Sequence, residues 1–157
     1  LPNRIALSRR LETLYASGAV PERGALLLID IDDFSRINAT FGQRAGNKLL
    51  KRLSALLRKS IKKSDFLARS GGDEFALLAT GVDQADAAAI AARLRNTIAE
   101  QLLFATSEPG ESDHLTVSIG MALTARAASA AELQAQAGAA LASAGNDTRQ
   151  PIKRYAG

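Results

Sequence analysis

The feature that most constrains this chain is a short apolar run that ends in acidic residues. Residues 25–29 read Ala-Leu-Leu-Leu-Ile, and Asp30, Asp32 and Asp33 follow almost at once. Such a run is too short for a free-standing helix, so it predicts a strand buried on both faces of a sheet. Carboxylates gathered at the end of a strand repel one another unless a cation lies among them. The run therefore predicts a layered fold with a charged site at one edge of its sheet.

The remainder of the chain alternates between helical and strand patterns. We expect helices over residues 3–16, 44–61, 85–103 and 130–144, and further strands over residues 65–69, 75–79, 115–121 and 152–155. In the first helix the predicted inward positions are Ile5, Leu11 and Leu14. This order predicts an α/β (α+β) fold, in which a single mixed or antiparallel sheet of about five strands is flanked by helices. No internal repeat is visible, so we expect residues 1–157 to form a single domain that is part of a longer protein.

Composition excludes several classes of protein. Hydrophobic residues make up 46% of the 157 residues, enough for a core, and there is no cysteine to form disulfides or zinc sites. The sequence has no apolar run of about 18 residues and no basic-then-apolar leader. These features suit a cytoplasmic domain. A membrane anchor elsewhere in a longer protein stays open.

A cluster of lysine and arginine residues lies between positions 44 and 63, and the net charge of the chain is +4. Clustered cations of this kind attract phosphate, so a nucleic-acid surface is one interpretation. The other is the solvated face of an amphipathic helix. We favour the second and expect no nucleic-acid partner, because the chain has no Trp and its few aromatic residues do not interleave with the cations.

A second acidic cluster follows a pair of glycines. Gly71-Gly72 predicts a tight hairpin with positive φ angles, and Asp73-Glu74 comes directly after it. Mg²⁺ prefers a few carboxylates together with substrate phosphates, and glycines leave room for a triphosphate near the backbone. If neighbouring strands bring Asp30 and Asp73 together, the two can share one metal, as phosphoryl and nucleotidyl transfer require. We expect Asp32 and Asp33 to be exposed acids at a loop edge.

Residues 70–75 read SGGDEF, and this segment resembles the signature of the GGDEF family of diguanylate cyclases. Further segments resemble the same family: Leu1-Pro2-Asn3-Arg4, residues 30–34, Ile37-Asn38, Phe41-Gly42, Gly46, and residues 117–120. The resemblance covers essentially the whole chain. It implies the palm-like, ferredoxin-like fold of nucleotidyl cyclases and polymerases. It also implies the condensation of two GTP into cyclic di-GMP, with release of pyrophosphate, by two domains that face each other as a homodimer.

The resemblance also implies roles for individual residues. The carboxylates of Asp30 and Asp73, with the carbonyl of Ile31, would bind Mg²⁺ or Mn²⁺. Asp73 would in addition accept the proton of the attacking 3′-hydroxyl, and Glu74 would support the metal site. The implied substrate-binding residues are Phe34, Asn38, Gln43, Asn47, Gly71, Gly72 and Arg149.

Several positions depart from the family pattern. Ser35 stands where a lysine is usual, Gln43 where histidine is frequent, Asn47 where aspartate is frequent, and Gly145 where a lysine is usual. An asparagine offers one acceptor to the two donors of guanine, a mismatch that costs about 1–3 kcal/mol. These departures leave two hypotheses open. The domain is either a slow diguanylate cyclase, or a non-catalytic GGDEF module that binds GTP or a partner domain and regulates a neighbouring sensor or phosphodiesterase domain.

The family's Arg-x-x-Asp product-inhibition site has Lys62 and Asp65 in its register here. Lysine cannot form the planar bidentate contact with guanine that arginine forms, so we predict weak or absent binding of cyclic di-GMP at this site. Two other fold classes, a phospho-acceptor receiver domain and a class III nucleotidyl cyclase, also carry acids at a strand end. The Gly-Gly hairpin followed by acids argues against both.

Overall fold

The structure is a computed structural model that describes residues 1–18, 20, 22–105, 112–146 and 152–154. The helices are α1 (Arg4–Ala16), α2 (Phe34–Phe41), α3 (Gln43–Ser60), α4 (Gln84–Gln101) and α5 (Ala130–Asn146). The strands are β1 (Gly24–Ile31), β2 (Phe66–Arg69), β3 (Glu74–Thr80), β4 (Leu103–Ala105), β5 (Ser112–His114), β6 (Val117–Leu123) and β7 (Ile152–Arg154). A short 3₁₀ turn, Thr124–Arg126, follows β6.

Five strands form one mixed sheet in the order β2-β3-β1-β6-β7. All neighbouring pairs are antiparallel except β6 and β7, which are parallel. The sheet therefore confirms the predicted fold class. β4 and β5 pair only with each other, as a separate antiparallel hairpin.

Helices cover both faces of the sheet and create two hydrophobic cores. Leu27 and Ile29 of β1 face the core that α3 and α4 complete, while Leu26 and Leu28 face the core that α1 and α5 complete. Strand β1 is therefore buried on both faces, as its continuous apolar run predicts, because it lies at the centre of the sheet. Helix α3 is amphipathic, as the interpretation of the basic cluster predicts: its leucines at positions 49, 50, 53 and 57 are buried, and its lysine and arginine residues are exposed on the opposite side.

Helix α5 packs against the backbone of β6 at Gly120. A Cβ atom at this position would lie 2.5 Å from the carbonyl oxygen of Ala137 and 2.6 Å from the Cα of Leu141. Only glycine fits a contact this close, since any side chain would force the helix away from the sheet. The alanine-rich sequence of α5 serves the same approach, with Ala137 fully buried at the contact.

Of the three inward positions predicted for α1, Ile5 is wrong, while Leu11 and Leu14 are confirmed. Ile5 is 60% exposed, and the inward positions of α1 are Leu7 and Leu11, with Leu14 partly buried beside them. The register at residues 7, 11 and 14 is the one that turns α1 toward α5 and β2. Residue 5 lies off that stripe, so its apolar character did not indicate burial.

Two helices also differ from the sequence prediction. The sequence predicts no helix between residues 30 and 44, yet the eight residues of α2 lie there. Helix α4 ends at Gln101 rather than at residue 103, because Leu103 pairs with His114 in the β4–β5 hairpin. Strand β7 confirms the predicted final strand as far as Arg154, and Tyr155 lies outside the described residues.

In the described part of the chain, no helix combines the length and apolar character needed to cross a bilayer.

Candidate active site and metal centre

The two acidic clusters meet at one edge of the sheet. Asp30 of β1 lies opposite Glu74 of β3 in the antiparallel register, and the backbone N–H of Ile31 donates to the carbonyl oxygen of Asp73 at 3.2 Å. The side chains of Asp30 and Asp73 are close enough to share a hydrogen bond. The predicted proximity of these two carboxylates is therefore present in the structure, because adjacent antiparallel strands place the end of β1 beside the start of β3.

The environment of Asp30 disfavours its charged form. Burial is the largest cause that raises the pKa of Asp30 from 3.8 to about 7, followed by the charge of Asp73 and the hydrogen bond with it. The charges of Glu74 and Asp32 act in the same direction. In addition, the Asp30 Oδ1 is buried and receives no hydrogen bond from the described residues. A buried acceptor without a donor, surrounded by other carboxylates, is stabilised by a cation.

The donor set fits a divalent ion that is shared with a substrate. No group of three or more His, Cys, Asp and Glu side chains within the described ranges is arranged to enclose a metal. Mg²⁺ does not need such a cage, because it retains several water molecules and is usually held by one or two carboxylates plus substrate phosphates. Asp30 and Asp73, with a backbone carbonyl at the end of β1, match that pattern and not the closed site of a structural metal.

An arginine binds the backbone carbonyl oxygens of the Gly-Gly turn. The Nε of Arg69 donates to the carbonyl oxygens of Gly71 and Gly72 at 3.2 Å each, and one terminal nitrogen of Arg69 donates to Gly72 as well. The backbone N–H groups of Ser70 and Gly71 both donate to the carbonyl oxygen of Glu74, at 2.9 and 3.2 Å. The sequence did not single out Arg69, although a cation placed just before the Gly-Gly pair was a visible signal.

The predicted positive φ angles at Gly71 and Gly72 are wrong. The glycines with positive φ are Gly18, Gly42 and Gly81 within the described ranges. The connection between β2 and β3 spans residues 70–73, so it is longer than the two-residue turn that requires such angles. A Cβ at Gly72 would meet no atom within 4 Å. A Cβ at Gly71 would lie 3.4 Å from the Glu74 Cβ, so the space beside Asp73 is open mainly at Gly72.

Asp32 is bound into the sheet, contrary to the prediction of an exposed acid. The Ser118 hydroxyl donates to the Asp32 Oδ1 at 2.6 Å, and the backbone N–H of Asp32 donates to the carbonyl oxygen of Thr116 at 3.0 Å. These bonds tie the segment after β1 to the start of β6. Asp33 is exposed as predicted, adopts a left-handed backbone with φ of 54°, and starts α2. Ser118 was not singled out from the sequence, since its partner is 86 residues away.

A cavity of about 490 Å³ opens beside the acidic cluster. Its walls come from the end of β1, the start of β6, and one residue of α4, together with the C-terminal part of α5; they comprise Asp30, Ile31, Asp32, Asp33, Arg95, Thr116, Ser118, Leu141, Ala144 and Gly145. The Nε of Arg95 donates to the carbonyl oxygen of Val117 at 3.0 Å. Arg95 therefore brings a cation to this cavity that the sequence did not single out. The predicted phosphate ligand Arg149 lies outside the described residues.

The other substrate-binding candidates lie at the junction of α2 and α3. Phe34 and Asn38 of α2 pack against Gly46 of α3, while Gln43 and Asn47 are exposed in the first turns of α3. None of these residues lines the cavity at the acidic cluster. The predicted site residues in the described part of the chain therefore fall into two groups, one at the sheet edge around Asp30 and Asp73 and one at the α2–α3 junction.

The candidate product-inhibition residues line another cavity of about 490 Å³, together with Arg93 of α4. The carboxylate of Asp65 accepts from the backbone N–H groups of Lys62 and Thr80, at 3.1 and 3.3 Å. The Lys62 Nζ donates to the carbonyl oxygen of Thr80 at 3.2 Å. Both side chains are therefore occupied in holding the loop before β2 against β3.

Known proteins with similar sequences are GGDEF-domain diguanylate cyclases. The sequence profile described as "Diguanylate cyclase, GGDEF domain" matches residues 1–151. The diguanylate cyclase DgcP of Pseudomonas aeruginosa is 46% identical over 101 residues, which are 63% of this chain and 15% of that protein. The probable diguanylate cyclase DgcT of Escherichia coli is 34% identical over 112 residues, 71% of this chain and 25% of that protein. The chain thus spans only a small part of these relatives.

Solved structures share the fold over nearly the whole chain. The GGDEF domain of YfiN (TpbB) from Pseudomonas aeruginosa has a TM-score of 0.85 at 31% identity, covering 99% of this chain and 96% of that one. The GGDEF domain of DgcB from Caulobacter crescentus, solved in complex with c-di-GMP, has a TM-score of 0.86 at 24% identity, covering 100% and 90%. The second likeness shows the fold alone. Together with the profile match, the first shows that this chain belongs to the GGDEF family of diguanylate cyclases.

Proposed function

We propose that this domain condenses two GTP molecules into cyclic di-GMP and releases two pyrophosphates. The observation that carries the proposal is the meeting of Asp30 and Asp73 at the sheet edge, where burial first and the charge of Asp73 second raise the pKa of Asp30 to about 7. The Asp30 Oδ1 has no hydrogen-bond donor among the described residues. Membership of the GGDEF family supports the same reaction. The carboxylates at this edge of the sheet repel one another, and a bound cation that is shared with a triphosphate removes that repulsion.

The metal group would consist of the Asp30 and Asp73 carboxylates and the Ile31 carbonyl. A bound Mg²⁺ or Mn²⁺ supplies charge neutralisation for the triphosphate and for the negative charge that develops during transfer. Gly71 and Gly72 leave the backbone open to the phosphates, and Glu74, which accepts a hydrogen bond from the Ser70 hydroxyl at 3.1 Å, holds the start of β3 in place. Arg149 is assigned to the phosphates by its position in the family pattern.

In the proposed reaction, the 3′-hydroxyl oxygen of one GTP forms a bond to the α-phosphorus of the other. The bond from that phosphorus to the pyrophosphate oxygen breaks, and pyrophosphate leaves. Asp73 accepts the proton of the hydroxyl. Repeating the step closes the ring. The pair formed by Asp30 and Asp73 can hold one triphosphate, whereas the reaction uses two GTP molecules. We therefore propose that two copies of the domain face each other, each with one GTP.

Recognition of the base is assigned to the α2–α3 junction. Asn38, Gln43 and Asn47 offer polar side chains there, and Phe34 contributes an apolar wall. The replacement of aspartate by Asn47 and of lysine by Ser35 predicts weak GTP affinity and slow turnover. Because GTP is a cytoplasmic nucleotide, we place the reaction in the cytoplasm.

The test is incubation of the purified domain with GTP and Mg²⁺, with chromatographic detection of cyclic di-GMP and pyrophosphate. We expect slow product formation by the wild type and none by Asp73→Asn. Glu12→Gln, which removes one exposed carboxylate on α1, is the matched control and should retain the wild-type rate. Product formation by Asp73→Asn at the wild-type rate would refute the assignment of the metal and proton-acceptor group.

The second candidate is a non-catalytic GGDEF module that binds GTP and regulates a neighbouring domain. Ser35, Asn47 and Gly145 favour it, since each removes a charge that the family pattern places near the nucleotide. The bifunctional diguanylate cyclase/cyclic di-GMP phosphodiesterase MucR of Pseudomonas aeruginosa is 37% identical to this chain over 128 residues, 78% of this chain and 18% of that protein. GTP binding without product at high enzyme concentration would select this candidate.

A further inference from the structure

Residues 1–3 lie along the outer edge of β2. This strand is the last of its sheet on that side, so β3 occupies only one of its two edges. The N–H groups of an antiparallel strand point alternately toward and away from the partner strand. The N–H of Arg69, the final residue of β2, points away from β3 and donates to the carbonyl oxygen of Pro2 at 2.8 Å. Asn3 and Arg69 also form a parallel bridge. Segment 1–3 is therefore attached to β2 through the backbone of Arg69.

The side chain of the same arginine binds the Gly-Gly turn. Its Nε donates to the carbonyl oxygens of Gly71 and Gly72, and one terminal nitrogen donates to Gly72 again. Within the described ranges, no other donor bonds to these two carbonyl oxygens. Glycine loses more conformational freedom on ordering than any other residue, so a pair of glycines is costly to hold in one conformation. A charged guanidinium whose donors span two acceptors offsets that cost.

The turn sets the direction in which Asp73 points. The carbonyl of Gly72 belongs to the planar peptide that precedes the Asp73 Cα, and Arg69 binds it. The carbonyl of Asp73 belongs to the peptide that follows, and it accepts from the Ile31 N–H at 3.2 Å. Both peptide planes beside the Asp73 Cα are thus held by hydrogen bonds, one from each side. Together they fix the direction of the Asp73 side chain toward Asp30.

We propose that Arg69 is a positioning residue that couples segment 1–3 to the acidic edge of the sheet. Pro2 holds the backbone of Arg69, and the side chain of Arg69 holds the peptide plane that aims the Asp73 carboxylate. The inference rests on the proposed function, in which Asp73 binds the metal and accepts a proton. Displacement of segment 1–3 from β2 then turns Asp73 away from Asp30 and slows the reaction, although the segment does not contact the substrate.

The first experiment measures kcat, KM for GTP and the Mg²⁺ concentration that gives half the maximal rate. Arg69→Gln should lower kcat by about 10-fold, the value of one charge-assisted hydrogen bond, and should raise the Mg²⁺ requirement. KM for GTP at saturating Mg²⁺ should change by less than about 2-fold, because the position of Asp73 affects the chemical step. Arg69→Lys should recover part of kcat, since an ammonium group binds one carbonyl but does not span both. Arg58→Gln, at an exposed arginine of α3, is the matched control and should keep the wild-type values. Wild-type kcat and Mg²⁺ requirement in Arg69→Gln would overturn the inference.

The second experiment tests the link to segment 1–3 without turnover. Pro2→Gly gives more freedom to the backbone whose carbonyl binds Arg69. Amide NMR spectra of the nucleotide-free domain should show shifted signals for Gly71, Gly72 and Asp73 in this variant. The same substitution in the Arg69→Gln background should leave those signals in place, because the link is already broken. Unshifted signals, or equal shifts in both backgrounds, would refute the coupling. A wild type that makes no product while Pro2→Gly still shifts the signals would support the coupling and contradict the proposed function alone.

Discussion

Replacement of Asp73 by asparagine should make the metal-free domain more stable while it abolishes turnover. Burial is the largest cause of the raised pKa of Asp30, and Asp73 adds to the rise both through its charge and through the hydrogen bond between the two side chains. Asparagine has nearly the same shape and no charge, so it removes the repulsion with little change in packing. Functional sites often hold like charges close together, which lowers the stability of the folded protein. Asp73 fits this pattern.

The magnitude follows from the pKa. A rise from 3.8 to about 7 corresponds to about three pK units, or about 4 kcal/mol at 1.36 kcal/mol per unit. That figure is an upper bound for Asp73, because burial is the largest cause of the rise and Asp73 comes second. Asp30 is also only half-buried, so solvent screens part of the repulsion. We therefore expect Asp73→Asn to gain about 1 kcal/mol of unfolding free energy at pH 8 without metal.

The sign of the pH dependence follows from linkage. The pKa of Asp30 is higher in the folded state than in the unfolded state, so the folded state holds the extra proton between about pH 4 and pH 7. The contribution of Asp30 to stability is complete below its unfolded pKa and is lost as the pH rises through about 7. In Asp73→Asn the folded pKa moves down, so the loss should end at a lower pH and be smaller.

The assay is urea unfolding in EDTA at several pH values between 5 and 8.5, repeated with Mg²⁺ and GTP. Asp73→Asn should be more stable than the wild type at pH 8 in EDTA, and the two should converge toward pH 5. Mg²⁺ with GTP should stabilise the wild type and not the variant. A variant less stable than the wild type at pH 8 in EDTA, or one with the same pH slope, would show that the acidic edge is not strained by charge. Glu12→Gln controls for the removal of one carboxylate.

Three further substitutions test other parts of the structure. Gly120→Ala should lower the free energy of unfolding in urea by about 3 kcal/mol, because its Cβ would lie 2.6 Å from the Leu141 Cα. Gly138→Ala, in the helix that packs on Gly120, is the control: its Cβ would meet no atom within 4 Å, so it should not destabilise the fold. Asp83→Ala should cost about 1 kcal/mol, since the Asp83 carboxylate accepts from the Asp86 N–H at 2.8 Å in the capping box of α4; an unchanged midpoint would show that the cap contributes nothing. Lys62→Arg should tighten cyclic di-GMP binding in calorimetry by roughly 3- to 10-fold if the cavity beside Asp65 binds guanine, because arginine supplies a bidentate donor; equal affinity of the two proteins would exclude that contact.

Local patterns allowed much of the fold to be predicted from the sequence. The run at residues 25–29 indicated the central strand because burial on both faces needs continuous apolar residues, a property visible without knowing the partners. The amphipathic character of α3 could be predicted from its sequence as well. Ile5 was assigned wrongly because a short helix with scattered apolar residues has several candidate faces, and only contact with α5 and β2 selects one. The β4–β5 hairpin lacks alternation, so its pairing left no local signal.

The candidate site, like the fold, has features that local sequence predicts and features that depend on tertiary contacts. By itself, the sequence determined that carboxylates stand at the end of a buried strand and after a Gly-Gly pair, since residue types and their spacing are local. Only the tertiary structure decided that Asp30 carries the raised pKa, that Asp32 is bound by Ser118, and that Gly46 must lack a side chain. A pKa, a hydrogen bond and a steric limit each depend on groups brought close from distant parts of the chain. The pattern of neighbouring residues does not say which distant groups the fold brings into contact.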